Sequence, residues 1–367
     1  MRVLMIRFSS FGDIFQALEA AQHLATSGIV SSVDWLVRDD FAALLEHQKV
    51  IHTVHRFDRK SSPLALVRLA WKLAPRYTHV YDAHSNLRSL VVRWTVRTRW
   101  LLERCLHPTS PHRSMIRRSK ERLRRFLFFR FRLPTLPMPY RGAESYLWPL
   151  RKWIPKLEFN FSDVAWSIPA GPTTASVAVR TFKTWRLMRP DAPLIALAPS
   201  AAWPNKRWPI ERWRLLVREW IKESPDSLFL LLGGPDDHFL DALESEFGPT
   251  RIFNAVAKTS LLESATLLAQ ADALVANDTG LLHVADRLQI PTVAIIGPTA
   301  FGYPSSPVAR VAEVSRAELP CKPCSKDGRD PCTNAVQLKC LLDVTPSHVT
   351  RELKSAFEAA TEVPVLE

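Results

Sequence analysis

The 367-residue chain has no apolar run long enough to cross a membrane as a helix. Its first residues, Met1–Ser10, predict a β-strand and lack the apolar core and small-residue cleavage site of a secretory signal. Hydrophobic residues make up 47% of the chain, which is enough for well-packed cores in two domains of ordinary size. We therefore expect a globular, cytoplasmic protein.

Cysteine is scarce, with five residues in the whole chain. Cys105 is isolated, whereas the other cysteines cluster as Cys321, Cys324, Cys332 and Cys340. In a reducing cytoplasm such a cluster favours a metal site over a pair of disulfides, and four thiolates satisfy tetrahedral zinc. The spacing is wider than that of paired zinc knuckles, so a structural zinc site and free or partly oxidised thiols are both open.

Acidic residues are few between Arg88 and Arg132, where only Glu103 and Glu121 interrupt a dense run of basic residues. The whole chain has 49 Lys and Arg against 36 Asp and Glu, a net charge of +13. This surplus favours a polyanionic partner: nucleic acid, anionic lipid or a phosphorylated substrate. The run ends in the aromatic segment Phe126–Phe131, which favours a membrane surface; a merely solvated helix face is the alternative.

Short apolar runs alternate with helical patterns along most of the chain, which predicts doubly wound parallel α/β sheets. The predicted strands are Val3–Arg7, Val33–Val37, Val50–Arg56, His79–Tyr81, Leu194–Ala198, Leu228–Leu232, Arg251–Asn254, Leu274–Ala276 and Thr292–Ile296. Predicted helices include Phe41–His47, Leu64–Leu73, Pro209–Lys222, Thr279–Leu288 and a closing helix over Thr345–Ala360. We place the domain junction near residue 165, giving domains 1–165 and 166–367, the second with a Cys-rich loop at 321–340.

The segment from Asn277 to His283 follows an apolar strand and opens a predicted helix. Unpaired N–H groups and the positive end of the helix dipole favour an anion such as a phosphate there. We expect Asp278 to cap the helix and Gly280 to allow close approach of a ligand. Ordinary helix-cap chemistry without a ligand is the alternative.

Other loops also place polar or charged residues directly after a predicted strand. In the second half, Ser200–Pro209 contains Lys206, the natural cation for a diphosphate, and Leu232–Asp236 follows the next strand. In the first half, Ser9–Asp13 and Asp82–Asn86 follow strands. For Lys206 the alternative is a surface lysine beside a buried Trp208.

Together, the segments Met1–Asp13, Lys206–Pro209, Leu232–Pro235, Asn277–His283 and Ile296–Thr299 resemble the heptosyltransferases of glycosyltransferase family 9. The resemblance implies the GT-B fold, in which two Rossmann-like domains with parallel sheets face a central cleft. It places the acceptor on the N-terminal domain and the nucleotide-sugar on the C-terminal domain.

The resemblance implies inverting transfer of a heptose from ADP-L-glycero-D-manno-heptose to the lipopolysaccharide inner core, either Kdo-lipid A or a first heptose. Asp13 matches the catalytic base, which takes a proton from the acceptor hydroxyl. Lys206 and the N–H groups near Thr279 would stabilise the leaving ADP. No Asp-x-Asp pair occurs on a strand-end loop, so we expect transfer without a metal. For Asp13 the alternative is a helix N-cap.

The resemblance also implies the residues that bind each substrate. The donor would contact Ser200, Asp236, Thr259, Asp278, Thr279, Gly280, Leu281 and His283. The acceptor would contact Ser10, Gly12, Arg88, Arg117, Arg118 and Lys120. His283 has a packed helix histidine as its alternative. The chain departs from the family at Ser200–Ala202, which leaves transfer of a different sugar open.

We expect three partners: ADP-heptose, a lipopolysaccharide core acceptor, and the inner-leaflet surface, where the enzyme would be peripheral to the cytoplasmic face of the inner membrane. No cofactor is expected for catalysis, and no nucleic acid is expected as a partner. Three alternatives are open: transfer of another sugar to a glycolipid, a basic nucleic-acid-binding protein on a Rossmann scaffold, and a catalytically silent scaffold.

Overall fold

The computed structural model describes residues 1–109, 111–157 and 176–362. The strands are β1 (Arg2–Ile6), β2 (Ser32–Arg38), β3 (Thr53–Phe57), β4 (His79–Asp82), β5 (Ser114–Arg117), β6 (Leu194–Ala198), β7 (Leu228–Leu231), β8 (Ile252–Asn254), β9 (Ala273–Asn277), β10 (Thr292–Ile295) and β11 (Ala309–Ala312). The helices are α1 (Phe11–Thr26), α2 (Pro63–Leu73), α3 (Leu87–Leu106), α4 (Arg122–Phe131), α5 (Glu144–Leu147), α6 (Val177–Leu187), α7 (Ile210–Glu223), α8 (Asp241–Phe247), α9 (Leu261–Leu268), α10 (Gly280–Leu288), α11 (Lys339–Leu342) and α12 (Pro346–Glu362).

The chain forms two compact units. Unit 1 comprises Met1–Glu121 and Ala143–Ser167, and unit 2 comprises Arg122–Gly142 and Ile168–Glu367. The segment with α4 thus belongs to unit 2, and the chain returns to unit 1 at α5. The junction predicted near residue 165 lies outside the described residues.

Unit 1 is built on a parallel sheet in the order β3-β2-β1-β4-β5. Its central strand β1 is buried from Val3 to Ile6 because apolar side chains cover both faces. On one face, Leu4 and Ile6 pack with Val92 and Val96 of α3. The strand order reverses between β1 and β4, which is where a doubly wound sheet leaves a crevice at the carboxyl ends of its strands.

Unit 2 has a second parallel sheet, in the order β11-β10-β9-β6-β7-β8. Its order reverses between β6 and β9, so the loops after these two strands lie side by side. One face of the sheet packs on a core that includes Trp208, Trp213 and Trp220. The two parallel α/β sheets confirm the fold class predicted from the alternating pattern.

Local differences from the predicted elements are confined mainly to short segments. The helix predicted near Phe41–His47 is wrong: a 3-10 turn spans Asp39–Leu44 instead. The third strand begins at Thr53, not at Val50, because the ladder with β2 starts where Thr53 pairs with Asp34. The edge strands β5 and β11 escaped prediction, since β5 lies within the basic run and both have only four residues. None of the described helices is long and apolar enough to cross a membrane.

Candidate active site

Asp13 lies in the first turn of α1, just beyond the carboxyl end of β1. The N-cap of this helix is Ser10, whose carbonyl accepts the N–H of Ile14 at 2.9 Å. The Ser10 hydroxyl makes no capping bond and donates instead to Oδ2 of Asp13 at 2.7 Å. The N-cap position is therefore taken by Ser10, and the Asp13 carboxylate is directed to other side chains.

Asp13 is held by a nearby arginine and by a tyrosine from a distant part of unit 1. Nη2 of Arg7 lies 2.5 Å from its Oδ2, and the hydroxyl of Tyr146 donates to its Oδ1 at 3.0 Å. Arg7 is itself buried, and its Nη1 donates to the carbonyl of Ala83 at 3.1 Å. The Asp13 side chain keeps 34% of its surface exposed, so it is fixed yet reachable by a ligand.

The surroundings of Asp13 favour its ionised form. Burial acts to raise the pKa of Asp13, but the charges of Arg7 and Arg118 and the hydrogen bonds from Ser10 and Tyr146 outweigh it. The pKa of Asp13 is therefore held well below its usual range. At neutral pH Asp13 is a carboxylate that is able to accept a proton.

Arg118 and Tyr146 form the wall behind Asp13. The Arg118 guanidinium lies 3.8 Å from the centre of the Tyr146 ring, and its Nε and Nη2 donate to the hydroxyl of Ser145 at 3.0 and 2.6 Å. Tyr146 is fully buried, and this burial raises the pKa of its phenol above the usual value. The phenol consequently stays protonated and is the donor in its bond to Asp13.

His84, in the predicted loop after β4, lies close to the same charges. Burial first, and then the charge of Arg7, lowers the pKa of His84 to about 3. Its Nδ1 accepts the N–H of Phe8 at 3.2 Å, which assigns the remaining proton to Nε2. Arg88 and Lys120 also lower the pKa of His84, so these two predicted acceptor residues belong to the same electrostatic neighbourhood.

In unit 2, Asn277 joins the loop after β6 to the end of β9. Its buried side chain accepts the N–H of Trp208 at 3.2 Å and donates to the carbonyl of Pro199. These two bonds hold the loop after β6 against the end of β9. In this arrangement Nζ of Lys206 lies 3.1 Å from Oδ2 of Asp278. Both side chains are largely buried, with 12% and 13% of their surface exposed.

The predicted capping role of Asp278 is wrong. The N-cap of α10 is Thr279, whose side chain makes no capping hydrogen bond, and the helix begins at Gly280. The Asp278 carboxylate instead accepts the hydroxyl of Thr299 at 2.7 Å and pairs with Lys206. The Asp278 carboxylate therefore holds Lys206 beside the start of α10.

Two glycines allow this pair to form. A Cβ added to Gly302 would lie 2.2 Å from Cγ of Asp278, and one added to Gly328 would lie 2.4 Å from Cγ of Lys206. Gly328 also has a φ of +87°, which side-chain-bearing residues rarely adopt. Sequence analysis did not identify either glycine, because nothing in the local sequence relates them to Lys206 or Asp278.

These residues lie in a segment that known proteins share. Residues 155–332 match the sequence profile of glycosyltransferase family 9 (heptosyltransferase). Lipopolysaccharide heptosyltransferase 2 of Salmonella typhimurium is 33% identical over 45% of this chain and 47% of its own length. Lipopolysaccharide heptosyltransferase 1 of Pseudomonas aeruginosa is 27% identical over 89% of this chain and 86% of its own.

The chain is similar to the heptosyltransferases of glycosyltransferase family 9.

The fold is also similar to that of a solved structure. The structure of E. coli heptosyltransferase WaaC with ADP superposes with a TM-score of 0.60 at 20% identity, covering 97% of this chain and 100% of that one. The GT-B fold class implied by the sequence motifs is thereby confirmed. The match to the Salmonella relative spans about half of that protein's length, at 47%.

The other donor residues expected of a family 9 protein are dispersed around the strand ends of unit 2. Asp236 is exposed, whereas its neighbour Asp237 is buried, accepts the N–H of Gly234 at 2.7 Å and lies 3.4 Å from Arg207. The Thr259 hydroxyl lies 2.8 Å from that of Ser264. Partly buried positions are occupied by Ser200, Thr279, Gly280 and Leu281.

His283 is buried within α10, with 8% of its surface exposed. One turn later, Asp286 accepts the N–H groups of Ser305 and Ser306 at 2.6 to 3.0 Å. Burial raises the pKa of Asp286, although these bonds and the charge of His283 oppose the shift. The helix thus ties down the loop that contains Gly302, a role for Asp286 that the sequence did not reveal.

Of the remaining acceptor residues predicted for a family 9 protein, Gly12 is buried in the first turn of α1 next to Asp13. Ser10 and Arg118 belong to the Asp13 group described above. Arg117 ends β5, and its side chain is exposed.

The described residues give no support to a metal site at the four clustered cysteines. All are free, and no group of three or more His, Cys, Asp or Glu side chains in the described residues is arranged to hold a metal ion. Burial raises the pKa of Cys340 to about 12 and that of Cys324 above its usual value. The zinc site expected from Cys321, Cys324, Cys332 and Cys340 is therefore unsupported.

Proposed function

We propose that this chain is a family 9 glycosyltransferase that transfers a heptose from ADP-L-glycero-D-manno-heptose to a lipopolysaccharide inner-core acceptor, either Kdo-lipid A or a heptosyl group. The observation that carries the proposal is Asp13: a carboxylate with a depressed pKa, one third exposed, and oriented by Arg7, Ser10 and Tyr146. The relatives named as lipopolysaccharide heptosyltransferases and the WaaC structure with ADP support the choice of donor and acceptor.

In the proposed reaction, Oδ of Asp13 accepts the proton of an acceptor hydroxyl as the hydroxyl oxygen attacks the anomeric carbon. The new C–O bond forms while the bond from the anomeric carbon to the diphosphate breaks, and ADP leaves with the bonding electron pair. A single displacement of this kind inverts the anomeric centre. Arg7 and Arg118 would keep the carboxylate ionised until the acceptor arrives.

Lys206 would stabilise the negative charge that develops on the leaving diphosphate. Its ammonium has three N–H donors, so it can maintain its ion pair with Asp278 and also donate a hydrogen bond to a phosphate oxygen. The N–H groups at the start of α10 would add donors and a favourable helix dipole. These groups supply the positive charge that a metal ion would otherwise provide, so we propose that the transfer is metal-independent.

The remaining assignments follow the same scheme. We assign the acceptor to domain 1–165 and the donor to domain 166–367, with Asp236 near sugar or ribose hydroxyls and Thr259 near the adenine. The donor would also contact Ser200, Thr279, Gly280, Leu281 and His283. The acceptor's phosphates and carboxylates would meet Arg88, Arg117, Arg118 and Lys120.

We also propose a peripheral location at the cytoplasmic face of the inner membrane, where the lipid-anchored acceptor would be found. The net charge of +13 supports attraction to an anionic leaflet.

Calorimetric titration of the purified protein with ADP, UDP, GDP and CDP, without added metal, tests the proposal. Selective binding of ADP is expected, and it would justify assays with ADP-heptose and Kdo-lipid A. Preference for UDP would preserve the glycosyltransferase assignment but change the donor, as the Ser200–Ala202 departure allows. No binding of any nucleotide would contradict the proposal and favour the nucleic-acid or scaffold alternative.

A further inference from the structure

A cavity of about 1050 Å³ lies in unit 1 beside the edge strand β5. Its walls come from one face of α3, from β5 and the loop before it, and from the turn at Trp148–Lys152. Ser145, the partner of Arg118, lines it as well, so the cavity adjoins the wall behind Asp13 without including Asp13 itself. The proposed reaction leaves most of this cavity unused.

The cavity is cationic. Its lining includes Arg97, Arg104, Arg117 and Lys152, whose exposed side chains form no ion pair within the described part of the chain. No Asp or Glu side chain is among the described residues that line it. Cations that lack acidic partners around one concave surface favour an anionic ligand.

The same cavity has a large apolar component. Along α3, the residues Trp94, Arg97, Leu101 and Arg104 follow one another at intervals of three or four positions, so they share one helix face. Apolar and cationic side chains therefore alternate along this wall. Trp100 forms part of the floor, where its Nε1 donates to the carbonyl of Ala74 at 2.8 Å. Such a surface fits an amphiphile better than a simple anion.

The size of the cavity also decides against a simple anion. A volume of about 1050 Å³ is at the upper end of the range for ligands of drug size, far more than one phosphate needs. On the rest of α3, Leu102 and Leu106 are 47% and 74% exposed. Aliphatic side chains do not stack on bases, so the surface favours acyl chains over single-stranded nucleic acid. Trp94 is 61% exposed, and tryptophan is enriched at the boundary between lipid headgroups and acyl chains.

We propose that this cavity binds the phosphate headgroup of an anionic membrane lipid. Arg97 and Arg104 contact the phosphate, and Trp94 and Leu101 lie at the level of the glycerol and the first acyl carbons. The inference deepens the proposed peripheral membrane location, because it names the surface responsible: α3 and β5, not α4. It does not depend on heptose transfer.

Flotation with vesicles tests this site. Wild-type protein is mixed with vesicles of phosphatidylcholine alone or of equal parts phosphatidylcholine and phosphatidylglycerol, and the bound fraction is compared with that of Arg97→Gln/Arg104→Gln. Binding to the mixed vesicles is expected to fall about thirtyfold in this variant, because each basic residue near an anionic surface contributes about 1 kcal/mol. The matched control Arg122→Gln/Arg130→Gln removes the same charge from α4 and is expected to change binding less than about threefold.

Trp94 reports the depth of insertion. Brominated lipids are expected to quench the fluorescence of the wild type more than that of Trp94→Phe, since only the former has an indole at the acyl boundary. Equal quenching of the two proteins, equal losses in both double variants, or no binding to mixed vesicles would overturn the proposal. Displacement of the vesicles by inorganic phosphate would identify a free-anion site, and displacement by single-stranded RNA a nucleic-acid site; either would overturn it too.

A transfer assay separates this inference from the proposed function. With an acceptor stripped of its acyl chains, Arg97→Gln/Arg104→Gln is expected to turn over at the wild-type rate. If that rate fell while vesicle binding stayed intact, the cavity would be an acceptor site and the lipid proposal would fail. If the wild type itself showed no transfer but bound mixed vesicles through the cavity, the proposed reaction would fail and the lipid site would stand.

Discussion

The phenolic hydroxyl of Tyr146 donates a hydrogen bond of 3.0 Å to Oδ1 of Asp13, which lies 133 positions earlier in the chain. The bond joins the first turn of α1 to α5, in the segment by which the chain returns to unit 1. Arg118 lies over the same ring and contributes its charge to Asp13. The orientation and the ionisation of Asp13 thus depend on the same small group of side chains.

Replacing Tyr146 by Phe removes the hydroxyl and leaves the packing of the ring. The bond also fixes the orientation of the carboxylate, so we expect kcat to fall about tenfold through misplacement of the base, while ADP affinity stays unchanged. The pKa of Asp13 is expected to rise toward its usual value, because a donor to the ionised form is lost. The acid limb of the kcat profile would move to higher pH. The control Tyr140→Phe changes a buried tyrosine of unit 2 and is expected to leave the profile in place.

Asp13→Asn tests the proposed base directly. The amide has nearly the same shape but cannot accept the proton, so we expect kcat to fall by about 10²–10⁴-fold or more. ADP affinity, measured by calorimetry, is expected to be nearly unchanged because Asp13 lies in unit 1, whereas Lys206 and Asp278, which we propose for the diphosphate site, lie in unit 2. An active Asp13→Asn enzyme would exclude the assigned role.

The low pKa of Asp13 also predicts how stability depends on pH. The folded protein favours the ionised carboxylate, so its contribution is complete above the pKa of the unfolded chain, about 3.9. As the pH falls below that value, protons bind the unfolded chain first and the contribution is lost. We expect the difference in free energy of unfolding between the wild type and Asp13→Asn to be largest near pH 7 and to shrink below pH about 4. Urea titrations at several pH values measure it, and a difference that grew on acidification would contradict the assigned ionisation.

Lys206→Ala removes the cation that Asp278 orients. The loss of a charge-assisted bond to a diphosphate is worth about 1.5–3 kcal/mol, so ADP affinity is expected to fall about ten- to a hundredfold. Lys183→Ala is the matched control, since Lys183 is an exposed lysine on α6 of the same unit. If both variants lost affinity equally, the effect would be one of net charge, and the role given to Lys206 would be wrong.

Gly302→Ala tests the packing around Asp278. The added Cβ would lie 2.2 Å from Cγ of Asp278, so the carboxylate must turn away from Lys206 and Thr299. We expect weaker ADP binding, by about tenfold, because Lys206 loses its orientation. In an Asp278→Ala background the same substitution is expected to cost nothing more, since the colliding carboxylate is gone. Additive losses in the double variant would show that Gly302 acts elsewhere.

The sequence predicted those residues of the candidate site that lie in loops directly after predicted strands. Asp13, Lys206 and Asp278 were all identified because parallel strands present their carboxyl ends at one edge, and charged residues there are conspicuous. Arg7 and Thr299 had weaker signals: each lies in a motif that was recognised, but neither had been given a role. For Tyr146 and Gly302 the sequence offers no signal, since their partners are far away along the chain.

The sequence by itself determined the alternation of strands and helices, the two parallel sheets and the loops at their carboxyl ends, because burial on a strand or helix leaves a local, periodic trace of apolar residues. Only the tertiary structure decided that Asp278 pairs with Lys206 in place of capping α10, that Tyr146 and Arg7 hold Asp13, and that α3, β5 and the Trp148–Lys152 turn enclose a cationic cavity. Most of these contacts join segments that are distant along the chain, and such contacts leave no periodic pattern that could be recognised in a single sequence.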